Sequence, residues 1–343
     1  MSLPCHVFVI GDGLQSADLT ERILAQELAG RALVEAVEWD TSELGGMSEA
    51  AMGAERGLSY PVPTEWHDRL AQCQILVTHF FPIRAEVLRL AERVKIIASL
   101  RHGLENVDEK LAREQGIEVI NNPGRTAEPV ADWAVCAIID LVRGYSRANS
   151  ALHARQWPQP FEVAPNARDL RSIVVGIVGF GYVGQAVCTR LAAFGCRLLV
   201  HDPYVAEGVV TAHGAAAVEL DSLLSQSDVV TLHVRSTPET RGMIGARELG
   251  LMQTGASLVN AARADLVDEQ ALISALSGGQ LSGAAIDVFW TEPLGADHPL
   301  RSLGNAVLTP HIAGSTVNSE ETSAARLAAR LEPQLGPRMG DRG

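Results

Sequence analysis

The stretch VVGIVGFGYVGQAV, residues 174–187, constrains this chain more than any other. The apolar run 173–178 reads as a buried strand, and Gly179, Gly181 and Gly184 follow it in the spacing G-x-G-x-x-G. Residues 182–194 then carry apolar side chains at helical intervals. In such a turn the first glycine permits a sharp bend and the second lets a pyrophosphate approach the backbone. The third lets the helix pack against the strand, and the helix N-terminus presents free N–H groups to the anion. Taken alone, the stretch also admits a tight turn without a ligand as the lesser reading, because glycine-rich strand-to-helix turns are common.

The surrounding pattern favours the dinucleotide. Strand-like runs at 173–178, 197–201, 228–233, 257–260, 284–288 and 306–309 alternate with helical ones, and six strands suit a doubly wound parallel sheet. Asp202 ends the second of these, 18 residues after Gly184. A carboxylate there accepts hydrogen bonds from ribose hydroxyls and repels a 2′-phosphate, which points to NAD rather than NADP. Its place before Pro203 also suits a plain turn former. Tyr182 and Val183 complete the cofactor-binding turn.

A second alternation precedes it. Strands at 7–10, 33–37, 75–78, 95–99 and 117–121, with helices at 18–29, 65–72, 85–93 and 107–115, predict a five-stranded flavodoxin-like domain. Its turn Gly11-Asp12-Gly13 lacks a third glycine and is not read as a nucleotide site. The small-residue stretch 45–57 is expected to be a loop. Residues 127–148 predict one long helix, with Pro129 in the first turn where a missing N–H does little harm. Trp133, Val135, Ile138, Ile139 and Leu141 offer more apolar surface than one face needs, so this helix is read as a dimerisation arm, with burial in the core as the alternative.

A length of 343 residues favours two domains. The net charge of −13 makes nucleic acid and anionic membranes poor partners, while leaving a small anionic substrate open. Five cysteines lie scattered without metal-ligand spacing and are expected to be buried thiols; no metal site is expected. No apolar run approaches the ~18 residues of a membrane span and no signal peptide is visible, so the expected location is cytoplasmic.

Ligands of open parallel sheets sit at the carboxyl ends of the strands. There the sequence places Arg263 after NAA, Glu292 in DVFWTEP and His311 after LTP. Removing hydride from an alcohol carbon leaves a proton for a base, and histidine serves both directions near neutral pH. A carboxylate on the other ring nitrogen fixes the tautomer, so His311 and Glu292 form a candidate dyad. Arg263 offers a planar fork for a carboxylate. His233, Ala261 and Asp287 also lie at strand ends as candidate cofactor contacts, with a supporting structural role the favoured reading for His233 and Asp287.

These segments, together with LHVRSTPETRGMIG from Leu232, NAARADLVDEQALISAL from Asn260, AAIDVFWTEP and LTPHIAGST from Leu308, resemble the D-isomer-specific 2-hydroxyacid dehydrogenase family across nearly the whole chain. The resemblance implies an NAD-dependent oxidoreductase acting at C2 of a D-2-hydroxy acid, with Arg263 on the substrate and His311 as acid/base supported by Glu292. It implies that backbone N–H groups around Arg101, His102 and Gly103 help hold the substrate carboxylate. It implies a discontinuous substrate domain (1–122 plus 312–343), a Rossmann NAD-binding domain (123–311) and a homodimer. LRHGLENVD and NNPGRTAEPVADW resemble the phosphoglycerate dehydrogenase-like branch, where a C-R-G-G-P-V-N-V-D type string occurs. The departures at Leu100, His102, Leu104 and Glu105 prevent carrying over that branch's substrate, and Arg101 and His102 become candidates for reading a second polar or anionic group. Ala264 stands where the family usually has glycine, and Arg235 where proline is frequent. The end at Gly343 leaves no room for a regulatory domain, and the tail GPRMGDRG is expected to be disordered. Rival readings are a formate- or phosphite-type dehydrogenase and an NAD(H)-sensing corepressor-like binding protein.

Overall fold

The computed structural model describes residues 4–159 and 161–335 and divides into two compact units, Met1–Arg125 with Thr316–Gly343, and Thr126–Ser315. The tail GPRMGDRG lies outside the described residues.

In the first unit, β1 (Cys5–Gly11), β2 (Ala32–Glu38), β3 (Ile75–Thr78), β4 (Ile96–Ser99) and β5 (Glu118–Ile120) pair in parallel in the order β2-β1-β3-β4-β5. This is the flavodoxin-like order. Along β1 successive side chains serve opposite faces. Val7 and Val9 pack with Leu24 of α1 (Ala17–Glu27) and with Leu327 and Leu331 of the late helix Ser319–Leu331. Phe8 and Ile10 pack on the other side with Trp66, Leu70 and Phe81. Both faces are covered, which is why these strands read as continuous apolar runs rather than alternating ones.

Residues 45–57 are not the expected loop: Met47–Glu55 is a helix, α2. Gly45 and Gly46, at φ 81° and 94°, turn the chain into it, and Ala50, Ala51 and Ala54 are its buried face. The alanines of the stretch are good helix formers whose small side chains let the helix pack closely. Helices α3 (His67–Gln72), α4 (Ala85–Leu90) and α5 (Glu109–Glu114) complete this part of the unit.

In the second unit the strands are β6 (Val174–Val178), β7 (Arg197–His201), β8 (Ala216–Ala217), β9 (Val229–Leu232), β10 (Ala256–Asn260), β11 (Leu281–Ile286) and β12 (Ala306–Leu308). They form one parallel sheet in the order β12-β11-β10-β9-β6-β7-β8. The sheet has seven strands rather than the expected six; β8 is two exposed alanines, too short to carry a hydrophobic pattern. The order reverses between β6 and β9, where ligands of such sheets bind.

The predicted long helix is broken. Helix α6 (Ala127–Arg143) ends at Gly144, which takes φ 66°, and α7 (Tyr145–His153) follows. A Cβ at Gly144 would lie 2.8 Å from the carbonyl oxygen of Val163, so close approach as well as backbone conformation requires glycine. Ala131, Ala134, Ile138 and Leu141 bury the inner face of α6, while α7 buries nothing. The remaining helices are α8 (Tyr182–Ala193), α9 (Glu207–Ala212), α10 (Leu220–Gln226), α11 (Ala246–Leu251) and α12 (Glu269–Ser277). All five cysteines are free thiols; burial pushes Cys73 up to about 12 and Cys188 up to about 11, whereas Cys136 is exposed on α6 against the expectation of burial.

Candidate active site

The glycine turn joins β6 to α8. Gly179 takes φ 93°, and a Cβ there would lie 2.7 Å from both the carbonyl carbon and oxygen of His233, just past β9. The position therefore demands glycine for its conformation and for the approach of the neighbouring strand's end. A Cβ on Gly184 would collide with the carbonyl oxygen of Gly179. Gly181 differs: a Cβ there would meet no protein atom within 4 Å. Two glycines thus answer to the chain's own packing, and the second faces open space, as close approach of a pyrophosphate requires. Gly181 caps α8, whose first N–H groups have no partner within the helix.

Asp202 holds two turns together. It accepts hydrogen bonds from the N–H of Phe180 in the glycine turn (2.7 Å) and of Tyr204 in its own turn (2.9 Å). A carboxylate has about four acceptor sites, so this leaves capacity for ribose hydroxyls. Val183 packs against the core beneath α8, while Tyr182 stays exposed. His233 Nε2 lies 2.9 Å from Thr231 Oγ1, and desolvation holds its imidazole below the usual range. Ala261 is half-buried beyond β10. The carbonyl of Arg235 accepts from Thr240 Oγ1 at 2.6 Å.

Arg263, Glu292 and His311 follow β10, β11 and β12, three consecutive neighbours in the sheet. Asn260 shapes the first turn: its Oδ1 accepts from Ala262 N–H (3.0 Å) and its Nδ2 donates to the Arg263 carbonyl (2.8 Å). Arg263 is exposed and donates from Nη1 to the Ala262 carbonyl (2.7 Å), while Ala264 is buried at the start of a 3₁₀ turn. His311 Nδ1 lies 2.8 Å from Glu292 Oε2, and Glu292 Oε1 accepts from Phe289 N–H (3.0 Å). A carboxylate only accepts, so Nδ1 carries the proton and Nε2 is left to exchange one. The pair is solvent-accessible and worth at most about 1 kcal/mol of stability. Its consequence is orientation of the ring.

His311 has φ 55°, a conformation that costs a non-glycine residue on the order of 1–3 kcal/mol. Buried Asp287 holds it there, accepting from Thr309 Oγ1 (2.5 Å), Ile312 N–H (2.9 Å) and Ala313 N–H (2.8 Å) on both sides of the histidine. Hydrogen bonds to a charged group contribute about 1.5–3 kcal/mol each, enough to outweigh the strain. Asp287→Ala should therefore lower the melting temperature by roughly 5–10 °C, at about 2–4 °C per kcal/mol. An unchanged thermal unfolding curve would show that the loop is held by something else.

The residues expected to contact substrate lie past β4. Arg101 N–H donates to Ser99 Oγ (3.1 Å), so in this structure that N–H is committed within the chain. The Arg101 guanidinium lies 4.0 Å from the Phe80 ring centroid and 3.6 Å from Glu105. The carbonyl of His102 accepts from Asn121 Nδ2 (2.8 Å), and Gly103 sits beside the Glu105 carboxylate. Asp12, His79 and Arg125, not singled out from the sequence, form an electrostatically linked group with Arg101. The strand-end rule that applies to the second sheet holds for the first as well: Asp12 follows β1, His79 follows β3, and NNPGRT follows β5.

Residues 135–313 match the family model "D-isomer specific 2-hydroxyacid dehydrogenase, NAD binding domain", which makes NAD the cofactor of this domain. The chain is 38% identical over 251 residues to a glyoxylate reductase of Korarchaeum cryptofilum, covering 73% of this chain and 76% of that protein. It is 36% identical over 247 residues to the D-3-phosphoglycerate dehydrogenase of Mycobacterium bovis, covering 72% of this chain and 46% of that one. The match thus spans about half the length of that phosphoglycerate dehydrogenase. A solved D-lactate dehydrogenase from Aquifex aeolicus, in complex with NAD and lactic acid, superposes with a TM-score of 0.67 at 25% identity, covering 96% of this chain and 95% of that one. The chain belongs to the D-isomer-specific 2-hydroxyacid dehydrogenase family, on its phosphoglycerate dehydrogenase-like branch.

Proposed function

We propose that the protein interconverts a D-2-hydroxy acid and its 2-keto acid. The observation that carries this reading is the His311–Glu292 pair at 2.8 Å, held on the strand next but one to that bearing Arg263, in the same sheet as the glycine turn. NAD, when bound, supplies the acceptor for the hydride that leaves C2. Gly181 and the start of α8 would hold its pyrophosphate, in a turn that Gly179 and Gly184 make possible, and Asp202 its ribose. His311 Nε2 takes the proton of the C2 hydroxyl and returns it to the carbonyl oxygen in the reverse direction. Glu292 fixes the tautomer and stabilises the imidazolium. Arg263 pairs with the substrate carboxylate and polarises the adjacent carbonyl.

The protein works as a homodimer in this reading, because Tyr145, Trp157 and Phe161 are 76%, 82% and 65% exposed around the otherwise unburied α7. Five free cysteines suit a reducing, cytoplasmic setting. Among the described residues no helix is long and apolar enough to cross a membrane. The test is NADH oxidation with glyoxylate, hydroxypyruvate, pyruvate, 2-oxoglutarate and phosphohydroxypyruvate. Turnover of at least one is expected. Tight NADH binding without turnover of any would favour a sensing protein instead.

A further inference from the structure

The turn that carries Arg263 runs from β10 to α12 and is tied to the strand-end loops on both sides of it. Towards β9 it meets residues 233–245. There Gly242 N–H donates to the Asp265 carbonyl (2.7 Å), Ile244 N–H to the Leu266 carbonyl (3.0 Å) and Asp268 N–H to the Ile244 carbonyl (3.0 Å). Towards β11, the Trp290 indole Nε1 donates to the Val267 carbonyl at 3.0 Å. Leu266 and Val267 are buried in the core beneath. Arg263 itself is exposed, and its guanidinium bonds only to the neighbouring Ala262 carbonyl, so its aim follows the backbone of the turn.

The side chain of Asp265, two residues on, makes a tie of another kind. Its Oδ2 accepts from Ser236 Oγ at 2.6 Å and lies 3.2 Å from Arg241 Nε. The loop between those two residues is closed on itself. Thr240 Oγ1 donates to the Arg235 carbonyl (2.6 Å), Thr237 N–H donates to Thr240 Oγ1 (2.8 Å), and Arg241 N–H donates to the Thr237 carbonyl (3.0 Å). One carboxylate oxygen thus fastens a compact loop to the turn of Arg263.

Folding does not account for that carboxylate. The Arg241 and Asp265 side chains are 67% and 42% exposed, and an exposed ion pair contributes little to stability. The second oxygen, Oδ1, is buried and has no hydrogen-bond partner among the described residues. A buried acceptor left unpaired costs stability rather than adding it. What the residue supplies is position. The loop it fastens leaves β9, which borders the reversal in strand order, and Arg263 leaves β10 beside it. Side chains that bind a ligand with precision are held by hydrogen bonds one layer behind them.

We propose that Asp265 is a positioning residue that aims Arg263 at the substrate carboxylate through its tie to Ser236 and Arg241. This rests on the dehydrogenase reading and adds to it what sets the substrate-binding arginine. Asp265 itself touches neither substrate nor cofactor.

The experiment is a mutant cycle on kcat/KM for the best keto acid, read beside the affinity of the NADH-loaded full chain for oxamate, a carboxylate-bearing isostere of a 2-keto acid. Misplacing a binding group by about 1 Å can cost ~10²-fold, so Asp265→Ala should lower kcat/KM and weaken oxamate binding by about tenfold. Asp265→Asn, which can still accept from Ser236, should recover most of the loss, and Ser236→Ala should show part of it. In the Arg263→Ala background Asp265→Ala should cost almost nothing more, because residues that act through one another are not additive. A purely structural role would give the same loss in both backgrounds, and that result overturns the proposal. Wild-type kcat/KM in Asp265→Ala overturns it as well. Should Asp265→Ala fail to fold, Ser236→Ala carries the same cycle. If the wild type turns over no keto acid, the dehydrogenase reading fails separately and oxamate binding decides. Weaker oxamate binding in Asp265→Ala at wild-type NADH affinity supports the role of Asp265. Unchanged oxamate affinity, or no oxamate binding to the wild type, overturns it.

Discussion

Replacing His311 with alanine is expected to reduce kcat by about 10²–10⁴-fold, the usual contribution of a positioned general acid–base group. KM should change far less, because His311 handles a proton rather than the substrate's carboxylate. Glu292→Gln should give a smaller loss than His311→Ala. The amide still accepts at one atom, from Phe289 N–H or from the ring, but no longer stabilises a charged imidazole. Stability should hardly move in either variant, since the pair is exposed and contributes at most about 1 kcal/mol to folding. Steady-state kinetics beside thermal unfolding checks both halves. A large drop in melting temperature with intact kcat would make the pair a structural clasp.

The glycine turn gives the second large effect, and it separates packing from ligand contact. Gly179→Ala forces a side chain into φ 93° and within 2.7 Å of the His233 backbone. It should weaken NADH binding by about 10–100-fold, at about 1.4 kcal/mol for each tenfold, and it should also destabilise the fold. Gly181→Ala adds a methyl group that meets no protein atom, so its melting temperature should stay at the wild-type value. Its NADH affinity should still fall, because the methyl group stands where the pyrophosphate approaches. Fluorescence titration with NADH reads both. Unchanged affinity in Gly181→Ala would place the pyrophosphate elsewhere.

The second unit was legible because its signals are local. The strand, the three glycines, Asp202 and the dyad residues each stand within a few positions of a strand end, where sequence spacing translates directly into place. What spacing could not supply was the support for His311. The strand-end position of Asp287 suits a supporting role, but not which loop it supports: three of its hydrogen bonds go to the loop carrying the histidine, 22–26 residues away. The break at Gly144 was hidden because a glycine among helix formers looks tolerable until the approach of Val163 is known. Helix α2 was missed for the opposite reason, since alanines and glycines that pack closely resemble loop composition. The Asp12–His79 pair spans 67 residues and joins two turns that carry no motif, so only the parallel pairing of β1 with β3 brings it to notice.

The most direct measurement supplies NAD and, separately, the D- and L-enantiomers of the 2-hydroxy acid corresponding to the best keto acid, and follows NADH formation. The expected result is oxidation of the D-enantiomer alone, at a rate that falls by about 10²–10⁴-fold in His311→Ala. Oxidation of the L-enantiomer at a comparable rate, or D-specific turnover undiminished in His311→Ala, would contradict the assignment of this site.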